Sequence, residues 1–237
     1  MSRAVVCLPT YNERENIEPM LRALGDKGVH VLVIDDASPD GTGEIADRLA
    51  AGLDYVGVLH RARKDGLGPA YLAGFQRALA EGADLVLEMD CDFSHDPDDV
   101  PRLIAAVEKG ADLALGSRYV RGGSVRNWGR VRRLVSSGGS LYARLVLGLN
   151  VRDLTGGFKC YRRSVLEGID LSAIHSKGYA FQIETTYRAL RAGFRVVEVP
   201  ITFADREVGG SKMSRAIVAE AIWKVPLLRL AALRGRV

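Results

Sequence analysis

The sequence predicts an α/β protein with a mainly parallel central sheet flanked by helices. Three observations carry this expectation. Short β-branched runs alternate with longer stretches of helical periodicity through the first half, the pattern of successive βαβ units. The runs VLVI and LVLEM are apolar at consecutive positions, as expected of strands covered on both faces. The chain has 237 residues, within reach of one α/β unit of up to about 250.

In order along the chain, Ala4–Leu8, Val29–Ile34, Tyr55–Leu59, Leu85–Met89 and Ala111–Gly116 read as strands. Between them Glu13–Leu24, Thr42–Ala51, Leu67–Glu81 and Asp98–Lys109 read as helices. Thr10 and Glu13 have the spacing of a capping box. Pro97-Asp98-Asp99 puts acids in a first turn, where the helix dipole favours them. Beyond Arg118 the pattern loosens. Val120–Arg130, rich in glycine and arginine, reads as a mobile loop, Leu134–Leu149 as a helix, and Thr155-Gly156-Gly157-Phe158 as a turn. Tyr179–Ala192 reads as a helix, Arg195–Phe203 as a strand and Ala204–Ser214 as a second flexible loop. Residues 1–213 are expected to form the catalytic domain. Residues 214–237 are expected to form an amphipathic basic helix interrupted at Pro226, packed on the core or anchored at a membrane surface through Trp223.

The formal net charge is +4, with arginines concentrated in Arg118–Arg133 and near the C-terminus, which suits phosphate groups or an anionic membrane. Basic stripes interleaved with aromatics, helix-turn-helix patterns and zinc spacings are missing, which argues against nucleic acid. Cys7, Cys91 and Cys160 are odd in number and far apart, so a reducing, cytoplasmic compartment is expected. Met1-Ser2-Arg3 runs straight into a strand pattern rather than a signal peptide. No apolar run reaches the roughly 18 residues of a spanning helix.

The chemistry is concentrated at strand ends. Asp90-Cys91-Asp92 closes the LVLEM strand, and residues two apart on a strand share a face. Two carboxylates there suit a hard divalent cation that also holds substrate phosphates. In open α/β sheets, ligands bind at that edge. An Asp-x-Asp alone is weak evidence, since acidic pairs at surface turns are common. Asp35-Asp36 ends the second strand, where a carboxylate can take a ribose hydroxyl or a base edge. Pro9-Thr10-Tyr11-Asn12-Glu13 follows the first, where Tyr11 can stack on a base and Glu13 can accept a ring N–H. Turn and cap readings explain each motif singly; together the three outline one crevice.

These segments, with GLGPAYLAGF, GSRYVRGGSVRNW, DLTGGFKCYRRSVL, GYAFQIE and VPITFADREVGGSKM, resemble family 2 glycosyltransferases of the GT-A, Rossmann-like fold. The resemblance covers residues 5–213 and is closest to dolichyl- and polyprenyl-phosphate mannosyltransferases. It implies GDP-mannose as donor, a polyprenyl or dolichyl phosphate as acceptor, and an inverted, β-linked product. It places Pro9, Tyr11, Glu13, Ile34 and Asp36 in the nucleotide pocket. Asp90, Cys91 and Asp92 would lie at the diphosphate, with Asp90 and Asp92 binding Mg2+ or Mn2+. Arg118, Arg206 and Lys212 would contact donor or acceptor phosphates, and Arg118 with Arg132 or Arg133 would hold the acceptor. Asp92, Arg118, Arg206 and Lys212 are the expected catalytic set. Ser94 stands where relatives carry a glutamine, leaving the third metal ligand open. Cys91 replaces a common alanine, either as a tolerated small residue or as a thiol beside the metal. His95 is read as orienting the loop rather than as a base.

The expected site of action is the cytoplasmic face of a membrane, occupied peripherally, with room for a separate membrane-anchoring subunit. The alternatives are transfer of glucose or another sugar to the same lipid, a hydroxyl acceptor with Glu184 as base, and a nucleotide-sugar-binding scaffold without activity.

Overall fold

The computed structural model describes residues 2–176, 178–205 and 215–234. Its first half runs β1 (Ala4–Thr10), α1 (Ile17–Gly25), β2 (His30–Asp35), α2 (Thr42–Ala50), β3 (Val56–His60), α3 (Leu67–Ala80) and β4 (Leu85–Glu88). There follow α4 (Val100–Glu108), β5 (Leu113–Ser117), β6 (Ser124–Val125), α5 (Arg130–Leu147), β7 (Lys159–Arg162) and α6 (Arg163–Gly168). The chain continues with α7 (Gly178–Arg191), β8 (Val196–Pro200), β9 (Thr202–Phe203) and α8 (Arg215–Leu233).

Seven strands form one sheet in the order β3-β2-β1-β4-β7-β5-β8. Pairing is parallel except at β7, which runs antiparallel to both β4 and β5. Side chains alternate across the sheet. Along β1, Val5 and Cys7 join a core with Tyr71 and Phe75 of α3 and Phe181 of α7. Val6 and Leu8 face the opposite core, with Ile17, Met20, Leu21 and Leu24 of α1 and Leu103 of α4. Each such side chain, fully buried, contributes roughly 1.5–3 kcal/mol. The α3 helix approaches the sheet at Gly74, where a Cβ would stand 2.9 Å from Ile34 Cδ1.

Several expectations are corrected. Thr10 and Glu13 form no capping box: the Thr10 hydroxyl reaches Asp35 Oδ1 at 3.3 Å, and α1 begins only at Ile17. The Thr-Gly-Gly-Phe turn leads directly into β7, which no alternation announced. The stretch Arg195–Phe203 is two strands. The Ile201 N–H bonds Ser117 O, and the chain then leaves β5 to pair with β6, inside the stretch expected to be a mobile loop. Pro226 lies within α8 rather than breaking it. The helix packs on α7 and α5, burying Val225 and Ala232. Of the second expected loop, 206–214 lies outside the described residues.

Candidate functional site

Parallel strands β1, β2 and β4 deliver their following loops to one edge of the sheet. Each loop passes through the left-handed region at a residue other than glycine: Asn12 (φ +57°), Ala37 (+56°) and Phe93 (+58°). Such residues cost roughly 1–2 kcal/mol each and cluster where the backbone is shaped for a ligand.

The first part of the site lies at β1 and β2. Pro9 and Ile34 are register partners on these strands. The Tyr11 ring carries the Lys64 ammonium 3.7 Å from its centroid. Asp36 is ion-paired with Arg61 at 2.5 Å. Burial pushes the Asp36 carboxyl above its usual range, and Arg61 pulls against that. Neighbouring Asp35 is structural: it accepts from Ser38 Oγ at 2.5 Å and from the Ser38 N–H at 3.2 Å. Glu13 is tied through its N–H to Thr42 Oγ1 and through its carboxylate to Asn16. The Ile34 side chain is wholly buried against Gly74 and offers a ligand only its main chain. Arg61 and Lys64, which contact Asp36 and Tyr11, were not singled out from sequence; the basic run RARKDG after β3 was the available signal.

The second part follows β4. Tyr71 OH donates to Asp90 Oδ1 at 3.4 Å, and the Ser94 N–H donates to Asp92 Oδ1 at 3.1 Å. The Asp90 N–H donates to His95 Nδ1 at 3.2 Å, which assigns the His95 proton to Nε2. His95 is buried and stacked on Phe158 with centroids 4.9 Å apart. That is a loop-orienting contact, in line with the sequence reading. Cys91, between the two aspartates, is buried and belongs to the core cluster that includes Met89.

These residues fit a hard cation. Both carboxylates offer oxygen, and the buried Ser94 Oγ has no hydrogen-bond partner among the described residues. Among those residues no three His, Cys, Asp or Glu side chains converge on one point. The donor set is thus that of a site completed by substrate phosphates and water.

Beneath β4 lies a polar cluster that the sequence reading missed. Tyr161 OH donates to Glu88 Oε1 at 2.7 Å, and Lys159 Nζ donates to Gln182 O at 2.9 Å and Thr185 Oγ1 at 3.0 Å. Burial pushes Glu88 up, with Lys159 opposing. Burial also lowers Lys159 to about 8, with Glu88 and Asp153 opposing.

The third part is basic and aromatic. Arg118 is buried, with Nε and Nη2 on the two carboxylate oxygens of Asp153 at 2.7 and 2.6 Å and Nη2 also on Thr155 Oγ1 at 2.9 Å. Arg132 pairs with Asp205 at 2.5 Å. Arg133 is exposed. Tyr179 of α7 lies within electrostatic reach of both regions. Burial raises its phenol, Arg118 and Arg132 pull it back, and Asp90 adds to the rise. Glu184, the base of the hydroxyl-acceptor alternative, is engaged by Ser176 and by Arg188 at 2.9 Å. Arg206 and Lys212 lie outside the described residues.

A strand-end acidic pair, nucleotide-compatible side chains at the neighbouring strand ends and a pair of arginines are the parts expected of a transferase of activated, phosphate-bearing donors. Residues 5–170 match the model of glycosyl transferase family 2, and the chain belongs to that family. More particularly, it is 54% identical over 226 residues to a polyprenol monophosphomannose synthase of Mycolicibacterium smegmatis, covering 94% of this chain and 85% of the relative. It is 53% identical to an undecaprenyl-phosphate mannosyltransferase of Micrococcus luteus, covering 97% and 95%. Among solved structures, glucosyl-3-phosphoglycerate synthase from Mycobacterium tuberculosis, in complex with Mn2+, UDP and glucosyl-3-phosphoglycerate, superposes with a TM-score of 0.69. That match covers 99% of this chain and 80% of the other at 22% identity, and it shows the shared GT-A fold. The chain is a glycosyltransferase.

Proposed function

We propose that this enzyme transfers mannose from GDP-mannose to a polyprenyl phosphate, giving polyprenyl-phosphate β-mannose and GDP. The observation that carries the reading is the pair of strand-end carboxylates Asp90 and Asp92 beside the buried Ser94 Oγ, which has no partner among the described residues, with Tyr179 within electrostatic reach of Asp90, Arg118 and Arg132. The relatives' names supply the substrate class.

The reaction needs an acceptor phosphate oxygen to form a bond to the sugar C1 while the bond from C1 to the diphosphate oxygen breaks. The electron pair leaves with GDP, and attack from the opposite face inverts the centre. A phosphate monoester, with its second pKa near about 6, is already a nucleophile at neutral pH. No general base is required, and the two candidates considered are engaged: His95 Nδ1 accepts from the Asp90 N–H, and Glu184 is held by Ser176 and Arg188. Arg132, with Arg133, orients the acceptor through planar donors, and Arg118 adds charge and its Nη1, its Nε and Nη2 being held by Asp153. Tyr11, Glu13, Asp36 and the main chain at Pro9 and Ile34 hold the nucleotide. Asp90 and Asp92 would hold Mg2+ or Mn2+, which when bound supplies Lewis-acid neutralisation of the departing diphosphate. In this reading Arg206 and Lys212 add positive charge to the same group.

Membrane association is part of the proposal. On α5, Leu134 and Leu145 are 73% and 72% exposed; on the adjoining α8, Trp223 and Leu227 are 75% and 61% exposed. Arg133, Arg144 and Arg229 belong to the same two helices. No helix among the described residues is long and apolar enough to cross a membrane. An apolar face with basic neighbours suits peripheral contact with an anionic cytoplasmic leaflet. A separate anchoring subunit is compatible with it.

Isothermal titration with GDP-mannose and UDP-glucose, each with Mn2+ or with chelator, tests the donor half. Tight binding of GDP-mannose with metal alone is the expected result. Preference for UDP-glucose, or indifference to chelator, would contradict it.

A further inference from the structure

Two guanidiniums that converge on one acceptor repel each other, and something must hold them together before the ligand arrives. Each has its own counter-ion, Asp153 for Arg118 and Asp205 for Arg132. Both also face the same indole. The Arg132 Cζ is 4.5 Å and the Arg118 Cζ 5.5 Å from the Trp128 ring centroid. The negative face of an indole attracts cations, more strongly when water is excluded.

Trp128 is itself fixed in place. Asn127 before it is in the left-handed region at φ +61°. The preceding β6 is clasped to β9, the Arg126 N–H donates to Phe203 O at 2.8 Å, and the Asp205 N–H donates to Arg126 O at 3.2 Å. Phe203 packs edge-on to Trp128 at 5.3 Å, lies 5.2 Å from the His95 ring and has the Arg118 Cζ 5.5 Å from its own centroid. The clasp also holds the loop after β4 through the Ala204 N–H on Ser94 O, at 3.2 Å. One small sheet thus carries the indole, the Arg132 counter-ion and a brace for the Asp90–Asp92 loop.

We propose that Trp128 is a positioning residue: its ring is the shared platform that pre-pairs Arg118 and Arg132 as one anion site. The inference rests on the acceptor reading above and adds a residue to it. Without the platform the arginines keep their aspartates but lose the ring they share, so the cost falls on acceptor capture.

The test compares Trp128→Ala, Trp128→Phe and Arg132→Ala in steady-state transfer from GDP-mannose to polyprenyl phosphate in vesicles, with GDP-mannose affinity measured separately by titration. Trp128→Ala is expected to raise the acceptor KM about tenfold, the scale of a partly desolvated cation–π contact, and to leave donor affinity unchanged. Trp128→Phe is expected to recover most of that loss, because an aromatic face is restored. If Arg132→Ala raises the acceptor KM and Trp128→Ala does not, the platform is wrong and the acceptor reading survives. If neither raises it, the acceptor reading falls and the platform with it. If Trp128→Ala weakens donor and acceptor equally, or Trp128→Phe is as poor as Trp128→Ala, the indole does not act as proposed.

Discussion

Asp153→Asn isolates a buried charge. The Arg118 and Asp153 side chains are 5% and 0% exposed. The carboxylate accepts from Nε, from Nη2 and, at 2.9 Å, from the Arg118 main-chain N–H. Burial works to lower the Arg118 pKa; Asp153 overcomes this and holds it above its usual value. Asparagine keeps one acceptor oxygen but turns an NH2 group toward the guanidinium. Removing one partner of a buried ion pair costs about 3–5 kcal/mol. In a protein of this size each kcal/mol moves the Tm by about 2–4 °C, so the variant should melt roughly 6–20 °C lower. Replacing both partners, Arg118→Leu with Asp153→Leu, leaves neither charge of the pair buried alone and should recover much of the Tm while transfer stays lost. Circular-dichroism melts at neutral pH and the transfer assay read both quantities. An Asp153→Asn variant melting with the wild type, or a double variant no more stable than the single, would refute the reasoning.

Asp92→Ala should lower transfer at least about a hundredfold while the melt is retained, because a group acting on the developing charge is worth several kcal/mol; full activity would remove Asp92 from the metal site. Lys159 binds its proton less readily folded, near about 8, than at its usual 10.5. The unfolded chain therefore holds more protons between these values, and the Lys159 contribution to stability rises with pH across that window. Urea unfolding of wild type and Lys159→Met at pH 7.5 and 10.5 should show the difference moving in favour of wild type; a shift the other way contradicts the assignment. Trp223→Ser with Leu227→Ser should weaken binding to anionic vesicles at least about tenfold, since each apolar side chain buried is worth roughly 1.5–3 kcal/mol. Stability and GDP-mannose affinity should hold, and unchanged vesicle sedimentation would reject the apolar face as the contact.

The parallel half of the sheet was legible because β1 to β5 are continuous apolar runs closed by polar turns, and the acidic motifs fall at their ends. β7 was not legible. It is four residues long, follows two glycines, and carries Lys159, a residue whose charge argues against burial until Glu88, Gln182 and Thr185 are seen around it. The β6–β9 pair was hidden for a similar reason: two residues on each side leave no periodicity. Composition marked Arg118 and Arg132 as part of a basic stretch, and the family resemblance marked them as acceptor contacts. Their counter-ions come from 35 and 73 residues away, and that pairing exists only in the fold. Pro226 misled because proline usually ends a helix, yet α8 continues through it against α5 and α7.

The central claim is most directly tested by incubating the enzyme with labelled GDP-mannose, UDP-glucose or UDP-N-acetylglucosamine and a polyprenyl phosphate, with Mg2+ or with chelator. Label entering the lipid from GDP-mannose alone, and only with metal, is the predicted result. Transfer from a uridine donor, transfer that survives chelation, or labelling of a hydroxyl acceptor in place of the lipid phosphate would contradict it.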